Sequence, residues 1–297
     1  MAPLPTFALS TTGGVFVLHA HSRLAAWNGL EVRLGFEPQL IDGQPFVHTL
    51  DIRKTIEPLF GPVAVAFSKT NLTIVIDPGH GGSNVGTKSV LANRHEKEFT
   101  LDWALRLAPL LASNGWQVLL TRTSDADLAL SNRVAFAEQH KADLFLSLHF
   151  NSAGPDESQA GLETYCLTPA GMPSTVTRGF ADDASLAFPN NAFDGQNLEL
   201  AYRVHRALLQ VKGTLDRGVR RARFLGVLRA QQRPAILVEG GYLSNPREAR
   251  LISDPHYRQK LAEALARGLL EDSAERGQRS ATAAQNLETL PPTTESP

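Results

Sequence analysis

The chain has 297 residues, 42% of them hydrophobic and 20% charged, with a formal net charge of −1. That suits one large globular domain, or a domain with a small partner, and gives no electrostatic case for binding nucleic acid or an anionic membrane. No run of about 18 apolar residues exists to span a membrane, and the single cysteine, Cys166, excludes an internal disulfide or a Cys-rich zinc module.

The N-terminus lacks a basic leader, and the apolar run Val15 to Ala20 is too short and His-interrupted for a secretion signal. Residues 1 to about 13 are small and polar and are expected to be loose. Val15 to Leu18, Glu31 to Leu34 and Pro38 to Ile41 read as short strands. Asp42-Gly43 signals a turn, with Pro45 to Val47 returning. Asp51 to Phe60 reads as a helix capped by Asp51, with Ile52, Ile56, Leu59 and Phe60 at helical spacing. Gly61-Pro62 ends it. Residues 1–70 thus form a small N-terminal α+β module without a catalytic constellation.

From Thr73 the pattern becomes alternating strands and helices, the mark of an α/β sheet with helices on both faces. Thr73 to Ile76 is β-branched and apolar, as in a strand buried on both sides, and Asp77-Pro78-Gly79-His80 stops it. A helix follows from about His95 to Ser113, with Phe99, Trp103, Leu107, Leu110 and Leu111 as its stripe. Trp116 to Leu120 is a strand, Ser131 to His140 a helix with Val134, Ala135 and Ala137 inward. Asp143 to His149 and Gly161 to Leu167 are buried strands, and Cys166 in the latter reads as buried filler. Residues 168–195 are rich in Pro, Gly, Asp and Asn and long for a connection. Leu198 to Val211 is a helix with Leu198, Ala201, Tyr202, His205 and Leu208 on one side. Val219 to Leu228 reads as a strand pair, and Ala235 to Glu239 as a buried strand. Asn245 caps the first of two closing helices, with Glu248 reaching back. From Ser273 to Pro297 large apolar residues are scarce and a disordered tail is expected.

Three buried strands end in a metal-binding or acid–base residue: His80, His149 and Glu239. Parallel strands bring these to the carboxyl rim, where open α/β sheets bind ligands. Glu96 opens the next helix and faces the same rim. Two imidazoles and one carboxylate make a three-ligand zinc site with an open fourth position, and Glu239 beside it suits a general base. Each residue has a plainer reading. His149 can be a solvated rim histidine, Glu96 an acid complementing the helix dipole, and Glu239 a carboxylate paired with Arg233 or Arg247. His95 is a rival to Glu96. On a helix the two point roughly 100° apart, so only one faces a metal.

The motifs Ile76-Asp-Pro-Gly-His80-Gly-Gly, Glu96-Lys97, Thr121-Arg122 with Leu130 and Arg133, Ser147-Leu-His149-Phe-Asn151-Ser, Gly161-Leu-Glu-Thr-Tyr165 and Leu237-Val-Glu239-Gly-Gly-Tyr-Leu-Ser-Asn245 occur in that order. Together they resemble the zinc-dependent N-acetylmuramoyl-L-alanine amidases of bacterial cell walls, the "amidase 3" type, over about residues 71 to 270. The resemblance implies a mostly parallel six-stranded twisted sheet with helices on both faces, and a catalytic domain over 71–272. It implies one Zn2+ held by His80, Glu96 and His149, with Glu239 catalytic. It implies cleavage of the amide between N-acetylmuramic acid and L-alanine, peptidoglycan as partner, and action outside the cytoplasm. Another zinc peptidase acting on wall peptides, or a non-catalytic wall-binding protein, are the alternatives. Asp77 and Asn151 are the groups expected to orient His80 and His149. Arg122 and Arg133 are expected to pair with Asp125 or cap helix ends. The chain has Asn84-Val-Gly86-Thr where the family often has Asp-x-Gly-Ala, a departure expected to touch the loop and not a ligand. The 168–195 segment is expected to form a lid or a groove wall. Autoinhibition by it is weakly motivated, and no activator partner is identifiable.

Overall fold

A computed structural model describes residues 4–11, 13–60, 72–91 and 93–271. The boundary expected near residue 70, the Gly61-Pro62 stop and the tail expected from 273 lie outside them.

The chain opens with an antiparallel meander of β1 (Thr6–Thr11), β2 (Gly14–His19), β3 (Leu24–Trp27) and β4 (Leu30–Arg33), then a hairpin of β5 (Gln39–Ile41) and β6 (Gln44–Phe46) around Asp42-Gly43. β1 replaces the loose start expected from sequence. It is an edge strand, exposed almost throughout, so no burial pattern marks it, and backbone pairing to β2 holds it. β3 was also unforeseen, since Leu-Ala-Ala-Trp carries no β-branched residue. A helical stretch follows as α1 (Thr49–Asp51), a π-helical turn (Ile52–Ile56) and α2 (Glu57–Phe60). Its cap is His48, whose Nδ1 accepts from the Leu50 N–H at 3.1 Å, and not Asp51. Asp51 is fully buried and instead accepts the N–H groups of Gly35 (2.7 Å) and Phe36 (2.9 Å).

The second sheet comprises β7 (Thr73–Pro78), β8 (Gln117–Leu120), β9 (Leu144–Asn151), β10 (Leu162–Cys166), β11 (Asp216–Arg221) and β12 (Ala235–Tyr242), in spatial order β11-β10-β12-β9-β7-β8. All pairs are parallel except β10 with β12. Between them run α3 (Glu96–Ala112), α4 (Leu130–Gln139), α5 (Asp194–Leu208), α6 (Gly226–Arg229), α7 (Pro246–Ser253) and α8 (Pro255–Leu270). The expected strand pair over 219–228 is β11 followed by the short helix α6, which packs Val227 and Leu228 inward. In α4, Arg133 and Ala137 face inward while Ala135 is exposed, contrary to expectation.

Strand alternation sorts the core onto two faces. Ile74, Ile76, Leu146, Leu148, Ile236 and Val238 pack with α3, α5 and α8, while Val75, Phe145 and Leu237 pack with α4 and α6. The first layer continues into the N-terminal sheet through Phe16, Leu18, Trp27 and Val32. Polar ties run alongside: the Tyr202 hydroxyl donates to the Glu31 carbonyl, Lys54 pairs with Asp194 at 2.9 Å, and Arg221 donates to Thr55 Oγ1 at 2.8 Å. From β7 the chain crosses to β8 on one side and returns to β9 on the other. The connection therefore reverses direction between β7 and β9, and such a reversal opens a crevice at the carboxyl ends of the strands.

Candidate metal centre and active site

That crevice gathers the expected donors. His80 lies in the loop leaving β7, Glu96 is the first residue of α3, and His149 lies near the end of β9. One ligand atom from each comes within 4.8 Å of the others, the one such trio among the described residues. Glu96 is the hub. Its Oε2 is 3.0 Å from His80 Nε2 and its Oε1 is 2.9 Å from His149 Nδ1. The same oxygens accept the backbone N–H groups of Thr87 and Phe150, each at 3.1 Å. His95, the rival, is the residue before α3 and stands outside the trio; Glu98 accepts its backbone N–H at 3.0 Å.

Local sequence explains the approach of these groups. A Cβ on Gly79 would sit 2.2 Å from the His149 ring, and one on Gly86 would sit 2.7 Å from Glu96 Oε2, so both positions require a bare backbone. His80 itself adopts a left-handed φ of +61°, which costs a side-chain-bearing residue about 1 kcal/mol. Two contacts hold it there. Arg133 donates to the His80 carbonyl at 2.7 Å, and Asn84 Oδ1 lies 2.8 Å from His80 Nδ1. With an oxygen facing Nδ1, that nitrogen carries a proton, and Nε2, 3.0 Å from Glu96 Oε2, is the nitrogen left to meet a cation once it gives up its own proton. The Asn84-Val-Gly86-Thr run therefore does bear on the ligands, through the His80 ring and the carboxylate of Glu96.

Burial opposes charge on His80, but the Glu96 carboxylate outweighs it and the pKa moves up. Burial alone would raise the pKa of Glu96, but bonds from His149 and His80 overcome it and hold the carboxyl well below its usual range. An anionic carboxylate between two imidazoles is the donor chemistry of a catalytic zinc site, and these residues fit that ion.

Asp77 and Asn151 do not touch the imidazoles they were expected to orient. Asp77 accepts from Arg133 at 2.6 Å, Thr121 Oγ1 at 2.6 Å and Ser147 Oγ at 2.9 Å, so it reaches His80 only through Arg133 and the backbone. Asn151 donates to Glu163 at 2.8 Å and accepts from Arg178 at 3.0 Å. Arg122 grips the carbonyls of Pro78 (3.0 Å) and Gly79 (2.8 Å), and the partner of Asp125 is Lys97 at 2.6 Å.

Glu239 stands in register with His149 on β9 and with Glu163 on β10. The three side chains share one face, each about 4.8 Å from the next strand. Glu239 is buried, and among the described residues its Oε2 accepts no hydrogen bond. The cations that the plainer reading would pair with it go elsewhere: Arg233 pairs with Glu138, and Arg247 donates to the Gly213 carbonyl. Burial pushes its pKa well above the carboxylate norm and the Glu96 charge adds to this, against the pull of Arg178. Beyond it a second group converges. Glu163 accepts from Tyr165 at 2.8 Å and Arg217 at 2.8 Å, with Arg178 overhead. Glu163 and Tyr165 stand in a quoted motif, but Arg178 had no local signal, coming from the 168–195 segment.

The family model described as N-acetylmuramoyl-L-alanine amidase matches residues 74–271. N-acetylmuramoyl-L-alanine amidase CwlM of Bacillus licheniformis is 34% identical over 199 residues, 66% of this chain and 66% of its own length. An uncharacterized cell wall amidase of Bacillus anthracis is 32% identical over 206 residues, 67% of this chain but 35% of that protein. The match therefore spans less than two thirds of these curated relatives. The solved N-acetylmuramoyl-L-alanine amidase of Clostridium difficile 630 matches with a TM-score of 0.56 at 32% identity, covering 68% of this chain and 96% of that one.

Proposed function

This chain belongs to the N-acetylmuramoyl-L-alanine amidase family, and from that premise we propose that it hydrolyses the amide joining the lactyl group of N-acetylmuramic acid to the L-alanine of the peptidoglycan stem. His80, Glu96 and His149 would hold one zinc ion per chain. The observation that carries the reading is the unpartnered Oε2 of Glu239, buried one strand from His149. Bound zinc supplies Lewis acidity and a water of near-neutral pKa. Glu239 carries the proton: it accepts one from the attacking water and returns it to the departing alanine nitrogen. The C–N bond breaks, leaving a lactyl carboxylate and a free amine. Burial and the nearby Glu96 charge favour the protonated form of Glu239, which suits the second transfer. Because peptidoglycan lies outside the cytoplasmic membrane, the enzyme acts in the cell envelope.

The test is Glu239→Gln on purified muropeptides. Hydrolysis falls by at least about 100-fold, while zinc content stays near one ion per chain. A wild-type rate overturns the role. His149→Ala loses both zinc and activity, and full zinc retention would remove His149 from the ligand set. Mass spectrometry of wild-type products identifies the cleaved bond. A free peptide amine other than that of L-alanine would make the chain a different zinc peptidase.

A further inference from the structure

Past Glu239, on the side away from the metal, the rim opens into a cleft of about 330 Å³. Three guanidinium groups line it: Arg178, Arg217 and Arg220. Arg217 is committed to Glu163, at 2.8 Å, and to Gln159 Oε1, at 2.9 Å. Arg220 lies 3.9 Å from the same Glu163 and 3.8 Å from Glu31, and its buried Nε has no hydrogen-bond partner. Arg178 donates only to neutral oxygens, Asn151 Oδ1 at 3.0 Å and the Tyr165 hydroxyl at 3.3 Å. Its guanidinium stacks over the rings of Tyr165 and Phe224. Among the described residues no carboxylate stands within salt-bridge distance of it. A cation held over aromatic rings, with the Glu239 and Glu163 charges near it but neither in direct contact, is a place where an incoming anion can make that contact.

Order along the rim says which part of the substrate arrives there. The proposed metal ligands sit in the loop after β7, at the start of α3 and on β9, and the proton carrier on β12; the cleft reaches from Asn151 of β9 and Tyr242 of β12 across to β10 and β11. Glu239 must touch the departing nitrogen, so the peptide attached to that nitrogen continues past β12 into the cleft. Strands repeat at about 4.8 Å, which sets the cleft at about 5 to 10 Å from the base. An extended peptide advances about 3.5 Å per residue, so its second residue falls there. Resting on the amidase reading, we propose that Arg178 binds the α-carboxylate of the second stem-peptide residue, left free where the peptide continues through that residue's side-chain carboxyl, and so selects acidic over amidated stems.

The segment that delivers Arg178 is fastened down. Asp182 accepts from the Ser174 N–H at 2.7 Å and from Arg223 at 2.6 Å, and the Thr175 N–H donates to the Arg221 carbonyl at 2.9 Å. Arg178 is thus a fixed wall of the cleft, pre-positioned for a planar, bidentate contact with a carboxylate.

Calorimetry on the full, zinc-loaded chain decides the matter with two synthetic stem tripeptides. One carries a free α-carboxylate at its second residue, and the other carries a carboxamide there. Wild type binds the carboxylate peptide about tenfold more tightly, about 1.4 kcal/mol. Arg178→Gln binds both alike, and Arg178→Lys keeps part of the preference. Equal binding by wild type, or an undiminished preference in Arg178→Gln, overturns the proposal. Turnover of the matching muropeptides is followed in parallel, with KM carrying the difference. A chain that discriminates between the peptides but cleaves neither muropeptide supports the carboxylate site and defeats the hydrolase reading alone.

Discussion

The two halves of the sheet rim are finished differently. On the β7–β9 side each ligand is locked: Glu96 takes two imidazoles and two backbone N–H groups, His80 is pinned by Asn84 and Arg133, and Arg133 is neutralised by Asp77. On the β12–β10 side, among the described residues, Glu239 Oε2 has no hydrogen-bond partner and no carboxylate pairs directly with Arg178. A site that must hold an ion in one geometry gains from satisfied, rigid donors. A group that must exchange a proton, or meet a ligand's charge, has to be left open, at a cost in stability.

The largest effect that would break this comparison is expected at Asp77. Asp77 and Arg133 are both buried and pair at 2.6 Å. Asp77→Ala leaves the guanidinium buried without its countercharge, which costs about 3–5 kcal/mol, read by urea unfolding. Arg133 also fixes the strained His80 backbone, so zinc affinity falls in the same variant. A loss under about 1 kcal/mol would show that the locked half does not depend on this pair. Asn84→Ala is milder. It frees His80 Nδ1 and lowers zinc affinity by about 10–100-fold in chelator competition, leaving the unfolding midpoint of the metal-free chain little changed. Unaltered affinity would remove Asn84 from the support of the site.

The division also marks how far the sequence could be read. The proposed ligands and base stand at positions the sequence marks: His80 just past a β-branched strand and its Pro-Gly stop, His149 and Glu239 late in buried apolar strands, and Glu96 at the start of the next helix. Parallel pairing of those runs then forces convergence at one rim. The supports were not legible, because they come from distant segments and depend on side-chain reach. Asp77 is expected to orient His80, yet its carboxylate is taken up by Arg133 on α4, Thr121 and Ser147, while His80 lies past the strand end in a left-handed conformation. Asn151, two residues after His149 on the same strand, reaches across the sheet to Glu163 instead. Asp51 looked like a helix cap but serves the loop at Gly35 and Phe36, and β1 left no burial pattern because it is an exposed edge. Arg178 lies in a segment whose composition says only that it is not regular structure.

The smallest effect concerns the open half directly. If Glu239 is kept unsatisfied for function, replacing its carboxyl with an amide should stabilise the metal-free chain. Burial first, and then the charge of Glu96, raise the folded-state pKa well above the unfolded value. Near pH 4 the carboxyl is largely protonated in both states and little penalty exists. As pH rises through the ordinary glutamate range of about 4.3, the unfolded chain loses its proton while the folded chain keeps it. Stability therefore declines until pH passes the folded pKa, and is constant beyond. Glu239→Gln has no such term. With a chelator present, the variant's advantage over wild type should be near zero at pH 4 and grow to on the order of 1 kcal/mol at neutral pH. Added zinc should narrow the gap, since a cation beside the carboxylate favours its charged form. An advantage that is flat across this range, or that grows toward acid, would mean Glu239 is as well satisfied as Glu96, and the contrast between the two halves would fall.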